Sequence, residues 1–157
     1  MTHRPVPGDV RRACAVRAFS LIELMIALAV AALIAGFAVP AYRHQVERGH
    51  RLAVVTALYR VAHETAARGD GEWRDALPDE PVGLGDVPEQ GTPVYRLSLG
   101  RAAEAGGYVV SAAPLESGPM RADRCGTYRL YADGTRRNLP PGATGPGNVM
   151  PDCWRLH

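Results

Sequence analysis

From Phe19 to Val39 the chain runs for 21 residues with a single charged side chain, Glu23. A helix of that length covers roughly 30 Å, the hydrocarbon thickness of a bilayer. The segment is therefore expected to span a membrane, and the rest of the chain must be arranged around it. Four arginines, Arg4, Arg11, Arg12 and Arg17, precede it against one acid, Asp9. Positive charge stays on the cytoplasmic side, so residues 1–18 are expected inside and the C-terminal part across the membrane. The full 157 residues leave room for one folded domain behind the helix and not comfortably for two.

Charge and cysteine content both change meaning if the first 18 residues are removed. The whole chain carries a net +2, but without that leader 14 arginines face 15 acids, a net −1. A basic isoelectric point therefore gives no general argument for nucleic acid. Of three cysteines, Cys14 lies in the leader, while Cys125 and Cys153 lie near the end. An even pair in an exported domain most often forms a disulfide, worth roughly 3–4 kcal/mol in the chain-entropy picture. Two separate buried thiols are the alternative reading.

A secretory signal has a short apolar core followed by a small-residue cleavage site. Here the small residue, Ala18, comes before the apolar run. A cut between Ala18 and Phe19 would discard the charged leader and keep the helix; an uncut signal anchor is the other topology. Glu23 separates the two, because an ionised carboxylate toward the bilayer interior costs several kcal/mol unless it is paired. After the cut, Phe19 bears a free ammonium one turn from Glu23, and in an assembly of such helices one copy's amine can meet another's carboxylate. The competing reading has Glu23 snorkelling to the interface.

FSLIELMIALAVAALIAGFAVPAY, residues 19–42, resembles the N-terminus of the type IV prepilins. Their class III signal is a small residue, then Phe, then an apolar run with Glu as the fifth mature residue. Pro40 and Tyr42 also stand where family members tend to carry Pro and Tyr, whereas Ala18 replaces the usual Gly. RGHRLAVVTALYRVAHETAARG (48–69) resembles the amphipathic second half of a pilin helix, with Leu52, Val55, Tyr59, Ala62 and Ala66 spaced to share one face. CGTYRLYADGTRRN and the closing PDCW resemble the end of PilE/ComP-type pilins.

The resemblance implies an α+β fold, the type IV pilin fold. It comprises a long N-terminal helix with a transmembrane half and an amphipathic half, packed on three or four antiparallel strands with a disulfide-closed C-terminal loop. It further implies cleavage between Ala18 and Phe19, N-methylation of Phe19, an assembly role for Glu23, and the cystine Cys125–Cys153. The implied partners are other pilin subunits, the prepilin peptidase/N-methyltransferase and an inner-membrane assembly platform. The chain would sit in the bacterial inner membrane, with its C-terminal domain periplasmic, and move to the cell surface on assembly. A minor subunit of a filament serving adhesion, twitching motility or DNA uptake is the leading expectation. A DNA-binding receptor pilin and a pseudopilin of a type II secretion system are the alternatives.

Along the chain, the expected parts are a leader (1–18), an assembly helix (19–42), its amphipathic continuation (43–69), an acidic connecting loop (70–92) and a sheet with a C-terminal region (93–157). Pro40 should bend the helix without ending it, and Gly69 and Gly71 should stop it near Arg68. Residues 70–91 hold seven acids against Arg74 and read as a solvated loop. PVYRLSLG (93–100) and GGYVVSAA (106–113) read as strands. CGTYRLYADGTRRN reads as two more, joined by a type I′ turn at Asp133-Gly134. The Pro- and Gly-rich stretch 138–152 is expected to be neither helix nor strand.

No catalytic constellation is apparent. The five histidines, His3, His44, His50, His63 and His157, are scattered, no strand leads into a phosphate loop, and neither a cofactor nor a metal is implied. The last 37 residues do hold six arginines against three acids. Of these, Arg124, Arg129, Arg136 and Arg137, with Tyr128, Tyr131 and Trp154 nearby, are candidate DNA contacts. A solvated polar face is the plainer alternative.

Overall fold

A computed structural model describes residues 19–69, 77–78, 80–102 and 107–155. The expected leader (1–18), including Ala18 and Cys14, and Gly71 and Arg74 lie outside the described residues. The chain divides into two compact units, Met1–Ala41 and Tyr42–His157. One α-helix, α1 (Leu21–Ala67), contributes to both.

In the first unit, α1 begins when Leu24 N–H reaches the Ser20 carbonyl at 3.1 Å. Every described residue here is exposed, with Phe19 at 80% and Phe37 at 81%. The helix is long and apolar enough to cross a membrane. Pro40 lies inside it and removes one donor, to the Gly36 carbonyl, but the flanking turns carry the helix through. It stops beyond Ala67, where Arg68 and Gly69 N–H turn back to the Thr65 and Ala66 carbonyls at 3.3 and 3.2 Å.

The second unit is a layer of helix on sheet. Five strands, β1 (Val82–Val87), β2 (Tyr95–Arg101), β3 (Tyr108–Pro114), β4 (Thr127–Tyr131) and β5 (Arg136–Leu139), form an antiparallel meander in chain order. β2 to β5 coincide closely with the expected strands. The count of three or four is corrected to five, because β1 falls within the residues expected as a connecting loop. VGLGDV alternates apolar residues only weakly, since Gly83 and Gly85 dilute its strand preference. It pairs with β2 nonetheless, accommodating Leu84 as a bulge between the registers Gly83↔Ser98 and Gly85↔Leu97.

The inner sheet face carries Tyr95, Leu97, Leu99, Val110, Ala112, Tyr128 and Leu130, which pack with Val54, Val55 and Leu58 of α1 in one core. Burying each such aliphatic side chain contributes about 1.5–3 kcal/mol. The helical face differs from the expected one by about one residue. Val54, Leu58 and Thr65 are buried, while Leu52, Tyr59 and Ala66 are exposed. Val55 and Ala62 belong to both stripes, and Val61 and Ala62 pack against the core beside the buried Val54 and Leu58. Tyr108 Oη fixes the sheet to the helix by donating to the Ala62 carbonyl at 2.9 Å.

The β4–β5 turn also departs from expectation. Asp133 does not have positive φ, whereas Gly134 does (81°). Gly134 N–H bonds the Tyr131 carbonyl and Tyr131 N–H bonds the Thr135 carbonyl, both at 2.9 Å. This is a type I turn closed by a left-handed glycine, not type I′. Asp133 selects it by accepting from Thr135 N–H and Oγ1 at 2.8 and 2.9 Å, which also holds its carboxyl below the usual range.

Cys125 and Cys153 form a disulfide with Cα atoms 5.8 Å apart. It closes a loop that is more ordered than expected, with an isolated bridge Asn138↔Asn148 and a 3₁₀ turn at Pro151–Cys153. Gly126, next to the cystine, has φ +54, and a Cβ there would lie 2.0 Å from the Leu139 carbonyl oxygen. Only glycine allows β5 to approach the cystine this closely.

Candidate functional site

The sequence singles out two places, the start of α1 and the C-terminal arginines. At the first, Phe19 and Ser20 precede the helix and Glu23 lies in its first turn. An acid there meets the positive end of the helix dipole. Leu21, Ile22, Leu24, Met25 and Ile26 are all exposed around it. An apolar surface of this extent needs lipid or other copies of similar helices to cover it. The expected cleavage position lies partly outside the described residues, because Ala18 is not among them.

The C-terminal arginines do not form one patch. β4 and β5 alternate faces, so Arg129 and Arg137, which are paired across the strands, share the outer face. Arg129 Nη1 donates to the Gly145 carbonyl at 3.2 Å, and Arg137 lies 5.7 Å from the Tyr131 ring centroid. Arg136, opposite Leu130, belongs to the other face. Arg124 lies beside the cystine, on the wall of a cavity of about 470 Å³ that includes Arg48, Arg51 and Arg155.

That last grouping escaped the sequence reading. Arg48 and Arg51 stand one helical turn apart, which is legible, but Arg124 and Arg155 join them only through the fold. Arg51 is anchored by Asp123. Its Nε donates to Oδ2 at 3.2 Å and its Nη2 to Oδ1 at 2.5 Å, and Tyr95 Oη donates to the same Oδ2 at 3.2 Å. The Asp123 side chain is 3% exposed and that of Arg51 20%. Its hydrogen bond to Asp123 pushes the Arg51 pKa up, against the cost of burial. Tyr95 is pushed well above the usual phenol range, first by desolvation. Tyr128, its edge-to-face neighbour at 5.9 Å, is raised for the same reason.

The ring series continues through Trp154, whose centroid lies 5.3 Å from Tyr128 and 6.4 Å from Tyr59. These contacts lock the closed C-terminal loop onto the helix and sheet. The arrangement is that of a structural core and brings no nucleophile and base together. Among the described residues, no three His, Cys, Asp or Glu side chains gather as a metal site.

Compared with known proteins, residues 15–39 match the family model for the prokaryotic N-terminal methylation motif. Searches of curated proteins and of solved structures found no match.

Proposed function

The methylation motif on residues 15–39 marks a type IV pilin-like prepilin, and from that premise we propose that the chain is a pilus subunit, of the minor kind. It is cut between Ala18 and Phe19, N-methylated at Phe19, and assembled through the exposed half of α1. Prepilin peptidase is the processing partner and other pilins are the assembly partners that the motif implies. The role is structural and not enzymatic. Before assembly the helix anchors the chain in the inner membrane with the Tyr42–His157 unit in the periplasm.

One observation carries the reading. The residues matched by the motif run into a helix whose apolar side chains are exposed among the described residues, with Glu23 placed in the first turn. The carboxylate becomes affordable in the bilayer once a neighbouring subunit's Phe19 ammonium meets it. Glu23→Ala should leave a processed, membrane-inserted subunit that is missing from sheared surface filaments. Normal incorporation of that variant would remove the assigned role. A chain that is processed but found only with a protein-secretion apparatus would instead be a type II pseudopilin.

A further inference from the structure

We propose that the cavity bounded by Gln45, Arg48, Arg51, Arg124, Asp152 and Arg155 binds a phosphate-type oxyanion, supplied by the headgroup of an anionic phospholipid. Four guanidiniums and one carboxylate line its wall. Arg51 is neutralised by Asp123 and lies 3.8 Å from Glu47, and Arg155 lies 3.6 Å from Asp152. Among the described residues, the side chains of Arg48 and Arg124 have neither a hydrogen bond nor an ion pair. Two unneutralised guanidiniums therefore share one concave space with two others already in use. An anion seated between them relieves that repulsion, and the planar fork of arginine matches phosphate oxygens two at a time.

The shape favours a single phosphate over a polyanion. A nucleic-acid backbone is met by cations strung along a groove, whereas here they converge on one cavity of about 470 Å³. The chain itself suggests the source. Gln45 and Arg48 follow Val39, the last residue of the apolar run, by six and nine residues, at most about 9 and 14 Å of helix. The headgroup layer extends roughly 5–8 Å beyond the hydrocarbon, and an arginine side chain spans the remainder. This second step rests on the membrane-anchored reading; the oxyanion site does not.

The test uses the full chain in a zwitterionic detergent, titrated separately with dihexanoyl phosphatidylglycerol, dihexanoyl phosphatidylcholine and inorganic phosphate, with binding read by calorimetry. The phosphatidylglycerol is expected to bind at least tenfold more tightly than either other probe. Arg48→Gln combined with Arg124→Gln should weaken it at least tenfold, and Arg136→Gln, away from the cavity, should not. Equal affinity for inorganic phosphate would keep the oxyanion site and overturn the lipid source. Absence of binding by both anions, or binding unchanged in the double variant, would overturn the site. The phosphate arm is indifferent to processing, so its failure is separate from any failure of the prepilin reading.

Discussion

Trp154 donates its indole N–H to the side-chain oxygen of Asn138 at 2.6 Å, deep in the domain where Asn138 has no exposed surface. The Asn138 amide in turn donates to the Cys125 carbonyl at 3.0 Å. Its backbone exchanges hydrogen bonds with Asn148 at 2.7 and 2.9 Å. One side chain thus ties the end of the chain to the cystine, and its own backbone binds the closed loop to β5.

Replacing Asn138 with Leu keeps the volume but strands the Trp154 N–H and the Cys125 carbonyl. Leaving each unpaired costs about 1–3 kcal/mol, so the variant should lose roughly 2–6 kcal/mol. Urea unfolding of the chain in mild detergent, followed by tryptophan fluorescence, should show the midpoint fall. An unchanged midpoint would mean the network contributes little.

Alkaline stability follows from Tyr95 and Tyr128. Burial raises both phenols above the ordinary value, so the folded state holds these protons after the unfolded chain has released them. Their contribution is fully present below about pH 10 and is lost as pH rises from there toward the folded values. Stability should then fall by up to about 1.4 kcal/mol per pH unit for each ring. Denaturation midpoints measured from pH 8 to 11 should be level at first and then drop. Tyr95→Phe should flatten the drop, and a profile unaffected by that change would contradict the cause.

The strand pattern in residues 93–138 was legible because Tyr95, Leu97 and Leu99 alternate cleanly with Arg96 and Ser98. The apolar run showed the start of α1 equally well, and Gly69 its end. β1 was hidden because Gly83 and Gly85 interrupt its alternation, and its partner strand supplies what its own sequence lacks. The helical face lies one position away from the expected stripe, since spacing alone does not tell Val54 and Leu58, which are buried, from Tyr59, which is exposed with its ring against Trp154. The cationic cavity could not be seen at all. Arg48 and Arg124 are brought together by the cystine-closed region folding back on the helix, a relationship that no local pattern encodes.

The DNA-receptor reading predicts contact at the outer sheet face, where Arg129 and Arg137 are neighbours. Arg129→Glu with Arg137→Glu should abolish a salt-sensitive gel shift of duplex DNA, while Arg136→Glu, on the opposite face, should retain it. Equal loss in both, or no shift with the unchanged protein, would dismiss the DNA reading and leave the outer face as a solvated surface.

The mass of the N-terminal peptide, from chain extracted out of cells that contain the prepilin peptidase, tests the central claim most directly. The account predicts a mature chain beginning at Phe19 with one added methyl group on its amine. A chain that retains Met1, or one cut beyond the apolar run so that Glu23 is discarded, would contradict it.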